Sequence, residues 1–311
     1  MEIVVIDGGT LNPGDLSWEA LEKLGKLTVY NDCPENLVIE RCQNADAVIT
    51  NKVVFDAATI NQLPKLKYIG VSATGINNID LAHAKSQNIT VENVAAYSTA
   101  SVAQHVFALL FNITNQVAYY NGISKSGFWS HSGSWAYWED APIELAGKTM
   151  GIIGYGNIGQ KVAQIALALD TKVVVYNRNS IKSHPNIEQV ALEELTQQSD
   201  IISLHCALDN DNFEVVDTQF LSQMKKEAIL INTARGGLIN ESDLAQALKN
   251  ETIKAAALDV LQQEPPPHNH PLLQIHNCYI TPHLAWASKA SRQRLLDGVA
   301  EKLKKFQKSL P

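Results

Sequence analysis

The stretch from Lys148 to Arg178 constrains the fold more than any other part of the chain. Thr149 to Ile153 (TMGII) is a short apolar run, suited to a strand buried on both faces of a parallel sheet. Gly154-Tyr155-Gly156-Asn157-Ile158-Gly159 follows at once. Ile158, Val162, Ile165, Ala166 and Leu169 then recur at helical spacing, and Lys172 to Tyr176 (KVVVY) is a second buried strand. A glycine triplet alone says little, because loops collect glycines by chance. Between a strand and a helix, inside a unit of about 30 residues, it reads as a dinucleotide-binding turn. Gly154 permits the tight turn, Gly156 lets the backbone approach a pyrophosphate, and Gly159 lets helix and strand pack closely. The helix N-terminus brings unpaired N–H groups and partial positive charge to the phosphates.

One position departs from that pattern. An Asp or Glu normally ends the second strand and holds the ribose hydroxyls, but here the place falls on Asn177, followed by Arg178, Asn179, Ser180 and Lys182. Asn can bond a ribose without repelling a 2′-phosphate, and Arg178 can pair with one. The alternative is that Arg178 and Lys182 only decorate a solvated loop. The expectation is an NAD(P)H coenzyme with a mild lean to NADP(H), NAD(H) remaining open.

A chain of 311 residues suggests two domains. Hydrophobic content of 45% with 18% charged residues is that of a globular protein with large cores, and a net charge of −7 argues against a nucleic-acid partner. Cys33, Cys42, Cys206 and Cys278 form no CxxC pair and read as reduced thiols of a cytoplasmic protein. The opening MEIVVIDGG reads as strand and turn rather than signal peptide, and no apolar run approaches membrane-spanning length.

Strands are expected at Ile3–Ile6, Leu27–Tyr30, Ala47–Thr50, Tyr68–Val71 and Ile89–Val91, with amphipathic helices between them. Such alternation implies a parallel sheet covered on both faces. Asp15 is placed to cap a helix bearing Leu16, Ala20, Leu21 and Leu24. Ser72-Ala73-Thr74-Gly75 ends the fourth strand, either as a nest for a small anion or as a plain turn before a helix capped near Asn78 or Asp80. A long helix is expected from Thr99 to about Tyr120, apolar around much of its circumference. Phe128, Trp129, Trp135, Tyr137 and Trp138 then crowd a loop suited to an interface or a site wall. Further strands are read at 201–205, 228–232, 255–258 and 279–280, and a last helix from about Ser288 to Phe306. Asn240 is read as opening a helix to about Leu248.

Three polar groups follow strands of the second half directly: Arg235 after INTA, Glu264 after LDVLQQ and His283 after ITP. Carboxyl ends of strands in one sheet meet at one crevice. A His near a carboxylate has its charged form favoured and can give a proton, and an Arg beside it can grip a carboxylate and polarise a carbonyl. The trio suits hydride transfer to a 2-oxo acid. His268, His270, His276 and Cys278 could ligate metal by residue type, but their proline-rich spacing offers no recognisable geometry, so no metal is expected.

The segments TNKVVFD, LKYIGVSATGINNID, SVAQHVFALL, LAGKTMGIIGYGNIG, SDIISLHCAL, LINTARGGLIN, AALDVLQQEPP, HPLL and ITPHLAWAS resemble the D-isomer-specific 2-hydroxyacid dehydrogenases, in particular the glycerate dehydrogenase (hydroxypyruvate reductase) branch. The resemblance covers nearly the whole chain, and the ARGG, EPP and TPHLAW set is more specific than the glycine motif. It implies two doubly wound α/β domains: a Rossmann-type nucleotide domain, 99–286, inserted into a flavodoxin-like substrate domain, 1–98 plus 287–311. It places catalysis on Arg235, Glu264 and His283, and the substrate carboxylate at Thr74 and Gly75. Cofactor contacts fall on Asn157, Ile158, Asn177, Arg178, Cys206, Thr233 and Asp259, beside Gly154, Gly156 and Gly159. The implied activity is reversible reduction of a hydroxypyruvate- or glyoxylate-type acid to the D-2-hydroxy acid by a homodimer. Asn177 for the usual Asp and Ala207 for a usual Pro depart from the family pattern. A second class stays in view: some proteins of this fold use the cofactor as a ligand and act as corepressors.

Overall fold

A computed structural model describes residues 1–310, which form two compact units. The first is built from Met1–Ser98 and the C-terminal stretch beginning at Trp286. Its strands are β1 (Glu2–Val5), β2 (Lys26–Val29), β3 (Ala47–Thr50), β4 (Tyr68–Val71) and β5 (Thr90–Asn93), all parallel, in the order β2-β1-β3-β4-β5. Between them lie α1 (Glu19–Glu22), α2 (Val38–Cys42), α3 (Ala57–Asn61) and α4 (Leu81–Ser86). The Asp80 carboxylate caps α4 by accepting from the His83 N–H at 2.9 Å. Asp15 is not a helix cap: α1 starts later, at Glu19, with no side-chain cap. Residues 12–16 instead fold around Asn12, whose Oδ1 accepts from the N–H groups of Gly14 and Leu16.

The second unit, Thr99–Ala285, begins with α5 (Thr99–Asn115), α6 (Val117–Lys125) and α7 (Phe128–His131). The long helix expected to Tyr120 is broken at Gln116, which takes a left-handed φ of 49°. Its apolar stripe (Val106, Leu109, Leu110, Ile113) lies in the core, whereas Val117 beyond the break is exposed. The sheet follows with β6 (Thr149–Ile153), α8 (Asn157–Ala168), β7 (Lys172–Tyr176), β8 (Ile187–Gln189), α9 (Leu192–Gln198), β9 (Ile201–Leu204), α10 (Thr218–Gln223), β10 (Ile229–Asn232), α11 (Glu241–Lys249), β11 (Ala255–Leu258) and β12 (Cys278–Ile280). Seven strands pair in the order β12-β11-β10-β9-β6-β7-β8, every pair parallel. Alternate residues face opposite covered sides. Met150, Ile152, Ile229 and Ile231 join the core under α5 and α8, while Ile153, Leu230 and Ile202 join the core under α9, α10 and α11. Burial on both faces is why these strands read as unbroken apolar runs.

The chain then returns to the first unit as α12 (Lys289–Ser309), capped by Ser288. Leu295, Leu296, Val299, Ala300 and Leu303 complete the core over Ile3, Val5, Ile49 and Tyr68. Arg292, almost wholly buried, fixes the start of α12: it donates two bonds to the Asp15 carboxylate, both 2.7 Å, and one to the Leu11 carbonyl. Among the described residues no helix is long and apolar enough to cross a membrane.

Candidate active site

In the second unit the strand order reverses between β6 and β9, so the loops after these two strands diverge around a crevice. The glycine turn occupies it. Gly154 has φ of 95°, and a Cβ there would lie 2.4 Å from the Cys206 amide nitrogen, so only glycine fits between the β6 and β9 loops. A Cβ on Gly159 would strike the Gly154 carbonyl oxygen at 2.2 Å, which sets how closely α8 approaches the turn. Gly156 is different: its φ is −80°, and a Cβ would meet nothing within 4 Å. Neither backbone nor packing of the chain itself asks for glycine there. A ligand passing close to the backbone would, and no side chain caps the N-terminus of α8 where Asn157 and Ile158 begin the helix. The Thr233 hydroxyl, buried at the end of β10 without a hydrogen-bond partner, is a second group such a ligand could satisfy. These residues fit a dinucleotide.

Around the turn, Asn177 is used by the fold. Its Oδ1 accepts from the Tyr155 N–H at 3.1 Å and its Nδ2 donates to the Asn179 carbonyl at 2.9 Å. Arg178 is neither free nor merely solvated: it gives Asp209 two bonds, Nη1 to Oδ2 at 2.6 Å and Nη2 to Oδ1 at 2.8 Å. Cys206 is half-buried, and burial pushes its thiol above the ordinary range.

The second cluster forms at the carboxyl ends of the adjacent strands β10, β11 and β12. Buried Asn232 closes the turn after β10, accepting from the Ala234 N–H and donating to the Arg235 carbonyl, both at 2.9 Å. That turn leaves the Arg235 side chain exposed, with Nη1 donating to the Ala234 carbonyl. Glu264 is set by its own loop, where Oε1 accepts from the Leu261 N–H at 3.0 Å. Its Oε2 lies 2.6 Å from His283 Nδ1. The loop is braced from behind by Glu241, which accepts from the Gln262 N–H at 2.8 Å and meets buried His270 at 2.9 Å.

His283 itself sits at φ 51°, with its N–H donating to the carbonyls of Asp259 and Thr281. Asp259, 1% exposed, holds the segment in that shape. Its carboxylate accepts from the Thr281 hydroxyl at 2.6 Å and from the N–H groups of Leu284 and Ala285. His105 on α5 bonds the same Thr281 hydroxyl at 3.0 Å. Asp259 therefore acts on His283 through the backbone, a task the sequence did not disclose. Thr74 and Gly75 lie in the first unit, after β4, where the Thr74 carbonyl accepts from Asn93 Nδ2. Among the described residues no group of three His, Cys, Asp or Glu side chains could hold a metal ion.

A histidine–carboxylate pair at the carboxyl end of the same sheet as a glycine turn is an arrangement that suits one class, the Rossmann-type oxidoreductases. The chain belongs to the D-isomer specific 2-hydroxyacid dehydrogenase family, whose NAD binding domain matches residues 107–285. It is 43% identical over 318 residues to the hydroxypyruvate reductase of Blautia hydrogenotrophica, covering 100% of this chain and 98% of that one. It is 41% identical over 275 residues to the glycerate dehydrogenase of Methylorubrum extorquens, covering 88% and 86%. Among solved structures it resembles an acyclic imino acid reductase in complex with NADPH and D-Arg, with TM-score 0.87, 33% identity and coverage of 100% and 98%.

Proposed function

We propose that the chain reduces a small 2-oxo acid of the hydroxypyruvate or glyoxylate type to the D-2-hydroxy acid, and runs the reverse reaction. In balance, the 2-oxo acid, NAD(P)H and a proton give the 2-hydroxy acid and NAD(P)⁺. The observation that carries this reading is the 2.6 Å pair of His283 Nδ1 with Glu264. With Nδ1 committed to a carboxylate, the imidazolium has Nε2 left to give its proton to a carbonyl oxygen. Arg235, in the turn after β10, grips the substrate carboxylate or carbonyl oxygen, and the amides around Thr74 and Gly75 take carboxylate oxygens. When bound, the nicotinamide coenzyme supplies the hydride. Gly154, Gly156 and Gly159, with Asn157 and Ile158 of α8, would hold its pyrophosphate. Asn177, Arg178 and Cys206 would flank the adenosine, and Thr233 and Asp259 the nicotinamide end.

Both coenzymes serve on this reading, with a mild preference for NADPH, because Asn177 brings no charge against a 2′-phosphate and Arg178 offers one for it. Residues 99–285 are the nucleotide domain and the remainder the substrate domain. The working form is a homodimer assembled through α5, α6 and the aromatic segment. Steady-state rates with NADH and NADPH on glyoxylate, hydroxypyruvate and pyruvate test the reading, with chiral analysis of the product. Binding of coenzyme without turnover of any of the three would overturn it.

A further inference from the structure

The loops after β7 and β9 flank the glycine turn, because the sheet runs β9-β6-β7. One ion pair joins these two loops, Arg178 to Asp209, and it is built rather than casual. The Asp209 loop is folded on itself: Oδ1 also accepts from the Asp211 N–H at 3.0 Å, and the Asp209 N–H donates to Asn212 Oδ1 at 2.8 Å. Asn212 in turn donates to the Ala207 carbonyl at 2.7 Å. The Arg178 loop is braced equally. Gln189 Nε2 on β8 donates to the carbonyls of Asn177 and Asn179, and its Oε1 accepts from the Ile181 N–H. The Asp209 carboxylate is thus held in place apart from the pair, and Arg178 reaches it from a braced backbone, which lowers the ordering cost of the pair.

We propose that Asp209 is a coenzyme-selecting residue, holding down the affinity for a 2′-phosphorylated nucleotide by competing for Arg178. This rests on the coenzyme reading above and goes beyond it by naming the group that opposes Arg178. A 2′-phosphate can gain the guanidinium only by displacing the Asp209 carboxylate, which then stays beside it as a like charge. A ribose 2′-hydroxyl meets no such opposition, since it carries no charge and can donate to a carboxylate. The preference for NADPH that Arg178 alone would confer is therefore kept small. Lys182, exposed in the same loop, adds unspecific positive charge, and Asp211 adds negative charge beside Asp209.

Asp209→Asn tests this directly, since Asn retains an Oδ1 that can accept from the Asp211 N–H. Calorimetric titration of the whole enzyme with adenosine 2′,5′-bisphosphate and with 5′-AMP reads the adenosine end without turnover. Asp209→Asn is expected to tighten the bisphosphate about threefold to tenfold at low salt, leaving 5′-AMP within about twofold. In an Arg178→Gln background the same change should yield no such gain. An unchanged bisphosphate-to-AMP ratio in Asp209→Asn, or a gain that survives loss of Arg178, overturns the proposal. Failure of the unsubstituted enzyme to bind either nucleotide or NADH would instead overturn the coenzyme reading itself, and the inference with it.

Discussion

His283 keeps a left-handed backbone without being glycine, asparagine or aspartate, and Asp259 with Thr281 supplies the bonds that hold it so. Its ring is then oriented by Glu264, whose Oε2 lies 2.6 Å from Nδ1. Glu264→Gln removes the carboxylate that meets Nδ1 at 2.6 Å and orients the ring, so kcat for reduction should fall by about tenfold or more. Steady-state kinetics check this, and a wild-type kcat would remove the role assigned to Glu264. Arg235→Lys keeps the charge but loses the planar fork, and should lower kcat/KM by about tenfold or more. A wild-type value would defeat the assignment. Arg235, Glu264 and His283 drew notice in the sequence because each polar group stands in the loop after a strand, β10, β11 and β12 respectively. Asp209 was not. It stands in the polar run Asp209-Asn210-Asp211-Asn212, and which carboxylate meets Arg178 depends on the fold of that turn.

Strands buried on both faces were legible as continuous apolar runs, and Ala47–Thr50, Tyr68–Val71, Thr149–Ile153, Lys172–Tyr176 and Ala255–Leu258 have the bounds read from sequence. The short edge strand β8 was missed because Glu188 and Gln189 are exposed and give it no apolar signal. Asp15 looked like a cap because its neighbours have helical spacing. Its actual partner lies 277 residues away, beyond any local pattern. Gln116 breaks a helix with no glycine or proline to announce it. The loop after β9 opens with His205, whose imidazole lies 2.8 Å from the Ser203 hydroxyl and is pushed by burial down to about 3. The folded form therefore resists taking a proton that the unfolded chain accepts at the ordinary value. Stability from this source is intact above about pH 6.5 and is lost as the pH falls toward 3, by up to about 1.4 kcal/mol per unit. Thermal melts between pH 7 and 4 should fall less steeply in His205→Gln than in the unsubstituted protein. Parallel curves would show that this ring does not govern the acid response.

On the scale of the whole molecule, α6 and the aromatic segment leave Val117, Trp135 and Trp138 at 69%, 90% and 58% exposure in the single chain. Apolar side chains gathered on one segment are costly to leave in water. Sedimentation equilibrium at micromolar concentration should give twice the chain mass, and Val117→Glu with Trp135→Glu should give the single mass. A monomeric unsubstituted protein would remove the homodimer from the reading. The path of the chain carries another consequence. The sheet of the first unit is made from the first 98 residues, yet one of its faces is covered by α12, from the last two dozen. On the ribosome, Ile3, Val5, Ile49 and Tyr68 emerge early and stay uncovered until translation has passed Leu303. The nucleotide unit, whose residues are contiguous, can close its own cores before then. Order of synthesis and order of folding are thus inverted, and a sheet made before the nucleotide unit is finished after it.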